Sequence, residues 1–324
     1  VRIFEGNSKN KIPECFFEFS EPRTPHKEKP PIALYICILR NLKGSENLKF
    51  QRIRAGDHYF LTENSTKITA QNFNNCSSCK KFLNLQKLVF MVNQWQQQLR
   101  NVANPQKVKI LSSFFFFFKG EYGEGDIFIG IVVPDNRRIA RQYRNAPIEV
   151  IRQMLYSEIH EFRSSAIFAL VDRYTHEKDS NARQAIVDFY LANASQCNNW
   201  DLVDLSAPYI LGNHMLEHPM PLLLDKLSND RNLWLQRIAI VATLMLIRHN
   251  RFDDTLRLSQ HYLSHPHPLI HKATGWMLRE IGKRDQKTLL DFLDANATKM
   301  PRTALRYAIE RLTPQQRQYF LSLK

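Results

Sequence analysis

From about Leu85 to the C-terminus, apolar residues recur every three to four positions, the period that gives a helix one buried stripe. Pro, Gly and Asn-Asp signals cut this stretch into segments of ordinary helix length. The predicted helices run near 86–102, 105–118, 134–144, 147–157, 159–177, 181–195, 199–214, 219–228, 231–249, 253–263, 267–282, 286–296 and 301–312. They fall into pairs of similar length joined by tight turns such as "SND", "SHPHP" and "NATKMP". A pair spans about 35 to 45 residues, the period of HEAT-like units. The predicted fold is all-α: an α-solenoid of HEAT-like helical repeats whose second helices line a concave face, with an irregular all-α bundle as the alternative.

Residues 1–85 lack that period and read as an irregular N-terminal segment, separate from the repeat domain expected over 86–324. Within it, "SEPRTPHKEKPP" is a polar, proline-rich linker, "IALYICIL" is a buried strand or a helix turn, and "TAQNFNNCSSCKK" is loop-like. No chemistry is assignable there. A start at Val1 and the homopolymeric run Phe114 to Phe118 fit a fragment, a processed chain, or a displaced start or frame, so the segment is expected to be poorly ordered or not native.

Composition narrows the class. With 324 residues and 44% hydrophobic content the chain can bury one or two cores, and 15 prolines are too few for a disordered protein. Its 45 Lys and Arg against 31 Asp and Glu give a formal charge of +14, which favours a polyanionic partner, nucleic acid before a membrane surface. Of five cysteines only Cys76 and Cys79 lie close together, and no second ligand pair follows at zinc spacing, so no metal is expected. Scattered cysteines fit a reducing compartment, and no apolar stretch reaches the ~18 residues of a membrane span. A cytoplasmic protein with no membrane partner is expected.

Three predicted inner helices carry the candidate chemistry. The first contains "NNWDLVDLSAP", where Trp200 and Asp204 are four residues apart and share a helix face. The second contains Trp234 and, one turn on, Arg237; the third contains Lys272, Trp276 and Arg279 at successive turns. Stacked in order, they would collect aromatic, acidic and basic groups in one groove. Each residue also has a plainer role: the tryptophans as core fillers, Asp204 and Arg237 as a structural ion pair between neighbouring helices, Arg279 on a solvated face. Asp201, about 60° round the helix from Asp204, has no assigned role beyond a first-turn acidic group. Upstream, "KGEYGEGD" is too glycine-rich to continue a helix and is neither a P-loop nor a dinucleotide fingerprint. Pro134 then suits the first turn of a helix that carries Arg137, Arg138 and Arg141, whose guanidinium groups suit phosphate contact or a solvated basic face.

Four stretches, "FFKGEYGEGDIFIGIVVPDNRRIA", "NNWDLVDLSAP", "NLWLQRIAIV" and "HKATGWMLREIGK", in this order and spacing, resemble the DNA alkylation repair family of HEAT-like-repeat DNA glycosylases. The resemblance covers about Gln96 to the C-terminus. It implies release of N3- or N7-alkylated purines from duplex DNA for base excision repair, by a hydrolase that needs no cofactor. It also implies a monomer without an obligate protein partner, working at the bacterial nucleoid. By position in the motifs, the catalytic carboxylate falls on Asp204, the sugar-contacting tryptophans on Trp200 and Trp276, and the DNA-backbone arginines on Arg237 and Arg279. Lys272, Arg137 and Arg138 join them as DNA-binding candidates. A further aromatic falls on Phe117 or a neighbour, where five phenylalanines depart from the family's pattern. The resemblance further implies that the groove grips the backbone without drawing the lesion into a tight pocket. The alternatives are a non-catalytic HEAT-like DNA-binding member of the family and a protein-binding solenoid scaffold.

Overall fold

A computed structural model describes residues 2–5, 15–18, 48–52, 59–63, 77–113 and 125–323, with side chains from residue 84 onward. The chain divides into two compact units, Val1–Lys87 and Leu88–Lys324.

In the first unit β1 (Arg2–Glu5) pairs antiparallel with β2 (Cys15–Glu18), and β3 (Leu48–Arg52) with β4 (Tyr59–Glu63). The registers set Arg2 opposite Glu18 and Leu48 opposite Glu63. Sequence reading missed these strands because four or five residues of alternation are too short to stand out. The segment "IALYICIL" lies outside the described residues.

From Ser77 onward every described regular element is helical. The helices are α1 (Ser77–Asn101), α2 (Pro105–Ser112), α3 (Val133–Ala140), α4 (Ile148–Leu155), α5 (His160–His176), α6 (Ser180–Ala192), α7 (Trp200–Ser206) and α8 (Asn213–Glu217). They continue with α9 (Pro221–Ser228), α10 (Leu233–Ala242), α11 (Leu244–Arg248), α12 (Asp253–His261), α13 (Pro268–Gly282), α14 (Gln286–Asn296), α15 (Arg302–Ala308) and α16 (Pro314–Ser322). None is long and apolar enough to cross a membrane.

Several boundaries differ from expectation for local reasons. The helix expected over 199–214 is interrupted after Ser206 by a wide π-turn at Pro208–Gly212, since Pro208 has no N–H to continue the ladder. The one expected over 231–249 breaks at Thr243, whose hydroxyl donates back to the Ile240 carbonyl at 2.7 Å. Helix α16 was not anticipated. It starts from a capping box: the Thr313 hydroxyl accepts from the Gln316 N–H while the Gln316 side chain accepts from the Thr313 N–H.

Packing follows chain order. Helix α5 packs on α7, α7 on α10, α10 on α13 and α13 on α15, a row in which each helix touches the next. Helices α4, α9, α12 and α14 pack on α5, α10, α13 and α13 respectively. Close approach within the row depends on small residues. A methyl group at Gly275 would run into the Ala304 carbonyl oxygen and lie 2.6 Å from Cβ of Tyr307, so α13 reaches α15 only with glycine there. At the row's start Trp95 of α1 stacks flat on Tyr143 at 4.4 Å and donates from Nε1 to the Ser165 hydroxyl at 3.0 Å. The buried indole N–H thus has its partner, as a buried polar group requires.

Candidate active site

Helix α7 begins where Asn199, in extended conformation, caps it: its Oδ1 accepts from the Trp200 N–H at 2.8 Å. Trp200 occupies the first turn and Asp204 the second, both partly exposed. The Asp204 carboxylate meets Arg237 of α10 in a two-pronged contact, Nε to Oδ1 at 3.0 Å and Nη2 to Oδ2 at 2.9 Å. The remaining donor of Arg237, Nη1, reaches the Leu269 carbonyl on α13 at 2.7 Å. One guanidinium therefore ties three consecutive inner helices together. The Arg237 side chain is 6% exposed and that of Asp204 18%, so the carboxylate is the more accessible partner. Burial pushes the Asp204 carboxyl above its ordinary value, while Arg237 pulls it down.

The other expected residues are distributed along the same row. Trp276 and Arg279 lie on α13, one turn apart and both partly buried, with Lys272 a turn before Trp276. The Trp276 indole donates to Glu280 at 3.2 Å. Arg279 pairs with Glu310, just beyond α15, and approaches Glu280 at 3.6 Å. Trp234, in the first turn of α10, is buried in the core. Arg237, expected on phosphate, is instead buried with each of its side-chain nitrogens engaged by protein acceptors. On α3 Arg137 and Arg138 are exposed: Arg137 lies over the Phe168 ring at 4.6 Å, and Arg138 pairs with Asp135 at 3.5 Å. Arg137 and Arg141 also line a cavity of about 210 Å³ together with Phe168, Leu205 and Tyr209. Phe117 lies outside the described residues.

Sequence reasoning missed a buried charged network at the foot of α7. His160 Nε2 lies 2.8 Å from Asp201 Oδ2, and its Nδ1 lies 3.2 Å from Asp126 Oδ2. Arg163 binds the other oxygen of Asp126 at 2.6 Å. Glu161 turns the other way and accepts from the N–H groups of Ile129, Gly130 and Ile131 at 3.0, 2.8 and 3.3 Å. That grip fixes the segment after the glycine stretch, where Gly130 takes a φ of +84° that a larger residue resists. The available signal was "HEFRSS", a polar opening to a helix whose next residues are wholly apolar.

Comparisons with known proteins agree with this architecture. A family described as DNA alkylation repair enzyme matches residues 95–312. Among solved structures, the chain is similar to one described as a predicted DNA alkylation repair enzyme from Enterococcus faecalis, with 18% sequence identity and a TM-score of 0.52. The match covers 65% of this chain and 97% of that one, a likeness of fold. None of the curated proteins compared matches the chain. With the family match running from α1 to just past α15, the chain belongs to the DNA alkylation repair enzymes.

Proposed function

We propose that this protein is a DNA glycosylase that hydrolyses the N-glycosidic bond of N3- or N7-alkylated purines in duplex DNA, using a HEAT-like row of inner helices as its DNA-binding face. The observation that carries the reading is the pairing of a partly open carboxylate, Asp204, with the partly exposed indole of Trp200 one turn away. An N3- or N7-alkylated purine is already cationic. Its C1′–N9 bond breaks with the electron pair leaving on the base, which departs neutral and needs little acid assistance. Positive charge then develops on the deoxyribose, as in oxocarbenium-like glycoside hydrolysis. Asp204 would stabilise that charge and orient the water that adds to C1′, whose proton passes to solvent. Trp200 and Trp276 would pack their faces on the sugar.

In this reading Arg237 is not a phosphate ligand; it holds the carboxylate in place and sets its charge. Arg279, Lys272, Arg137 and Arg138 remain the groups for the DNA backbone. The enzyme would act as a cytoplasmic monomer with no cofactor, and selectivity would follow the lesion's charge more than its shape.

The test is release of 7-methylguanine or 3-methyladenine from methylated duplex DNA by wild type and by Asp204→Asn. Release by wild type and loss in the variant are expected. A wild type that releases neither base overturns the glycosylase reading, and an unimpaired variant overturns the role of Asp204. A second reading, a DNA-binding member without turnover, draws on the fact that both Asp204 oxygens already accept from Arg237. It predicts tight, salt-sensitive duplex binding with no base release.

A further inference from the structure

The charged network beneath α7 has a geometry that ordinary helix packing does not require. Both ring nitrogens of His160 face carboxylate oxygens, those of Asp126 and Asp201, and ionised carboxylates only accept hydrogen bonds. A neutral imidazole would turn a lone pair on one of them, so both nitrogens carry protons. Arg163 approaches His160 Nδ1 at 3.4 Å and opposes that charge, yet it also binds Asp126, so two cations balance two carboxylates. His160, Asp126 and Arg163 are each 5% exposed or less, and Phe128 stacks on the imidazole at 4.8 Å.

Two routes lead from this cluster to the first turn of α7. Asp201 connects directly to His160, and its other oxygen accepts from the Leu202 N–H at 2.8 Å. Asp126 accepts from the Asn199 amide at 3.3 Å, and Asn199 in turn caps the N–H of Trp200. Trp200 sits between those two tethered residues, and Asp204 follows one turn later.

We propose that His160, bridging Asp126 and Asp201, is a positioning residue that fixes the first turn of α7 and thereby sets Trp200 and Asp204 for base release. The kinetic part rests on the glycosylase reading; the positioning part does not. The charged and titratable groups facing His160 include Asp126 from the loop, Arg163 from its own helix and Asp201 from α7. Nearby Cys197 is a thiol, its pKa pushed up to about 12 by burial. The two carboxylates outweigh burial and Arg163 and hold His160 protonated up to about pH 9.

Full-length wild type, His160→Gln and Asp201→Asn are compared in single-turnover release of 7-methylguanine across pH, in duplex affinity, in the imidazole ¹⁵N shift of His160 and in amide exchange at Leu202 and Val203. A misplaced site far from bond cleavage costs on the order of 100-fold in rate, so that loss is expected in both variants with duplex affinity unchanged. Wild type should also lose activity as pH passes about 9, a limb that His160→Gln lacks. Rates equal to wild type, or losses that merely track affinity, overturn the proposal. If wild type releases no base, the glycosylase reading fails and the spectroscopic arms decide: a protonated imidazole at pH 7.5 with protection of Leu202 and Val203 lost in either variant supports positioning. A neutral imidazole or unchanged protection overturns it.

Discussion

Asp204 is pulled in two directions, since burial disfavours its charge and Arg237 favours it. Removing the arginine leaves a largely buried carboxylate without its counter-ion, a change that costs about 3 to 5 kcal/mol. Arg237→Gln is expected to lose stability of that order in urea unfolding, where Arg237→Lys should fall between because an ammonium cannot repeat the two-pronged contact. His160 sets a second, pH-dependent contribution. Its folded pKa of about 9 exceeds its ordinary 6.5, so the folded state holds the proton more tightly. That stabilisation is complete below about pH 6.5 and is lost as pH rises through about 9. The melting temperature of wild type should therefore decline between those values, and His160→Gln should lack that part of the slope. Asp126 acts on the acid side: its pKa is lowered from 3.8, so its contribution is present above that value and disappears as the folded carboxylate is protonated.

At the scale of elements, the helices are set by caps and by close approach. Asn199 starts α7, Asp285 starts α14 by accepting from the Thr288 N–H at 3.1 Å, and Thr313 starts α16. Between elements, α13 approaches α15 closely at Gly275. Gly275→Ala should force the two helices apart at an overpacking cost of about 1 to 3 kcal/mol, read as a lowered melting temperature. Because Trp276 and Arg279 ride on α13, their presentation should change with it. Proline at Pro208 and the break at Thr243 show why helix ends were the least legible feature: each turns on a single hydrogen bond, one that Pro208 cannot donate and one that the Thr243 hydroxyl adds, which periodicity averages over.

For the whole molecule the charge of +14 governs association with a polyanion. Duplex affinity should fall linearly with the logarithm of salt concentration. Arg138 is well exposed and, among the described residues, is paired with Asp135 in a 3.5 Å surface contact, which contributes little. Its replacement by alanine should weaken binding evenly across sequences and reduce the salt slope by about 1, measured by fluorescence anisotropy. A scaffold that binds only proteins would show neither effect.

The sequence by itself determined the helices, because an apolar period and turn residues are local, and it placed Trp200 with Asp204 and Trp276 with Arg279 on shared faces. It also carried the resemblance that the family match bears out over residues 95–312. Tertiary structure alone decided what those faces meet. Periodicity cannot fix how one helix is rotated against the next, so it could not separate the buried Trp234 from the partly exposed Trp276, or turn Arg237 inward onto Asp204 and Leu269. Nor could it bring Asp126, His160 and Asp201 from three separate segments into one buried cluster, since such ion pairs form only once the helices have stacked and water has left.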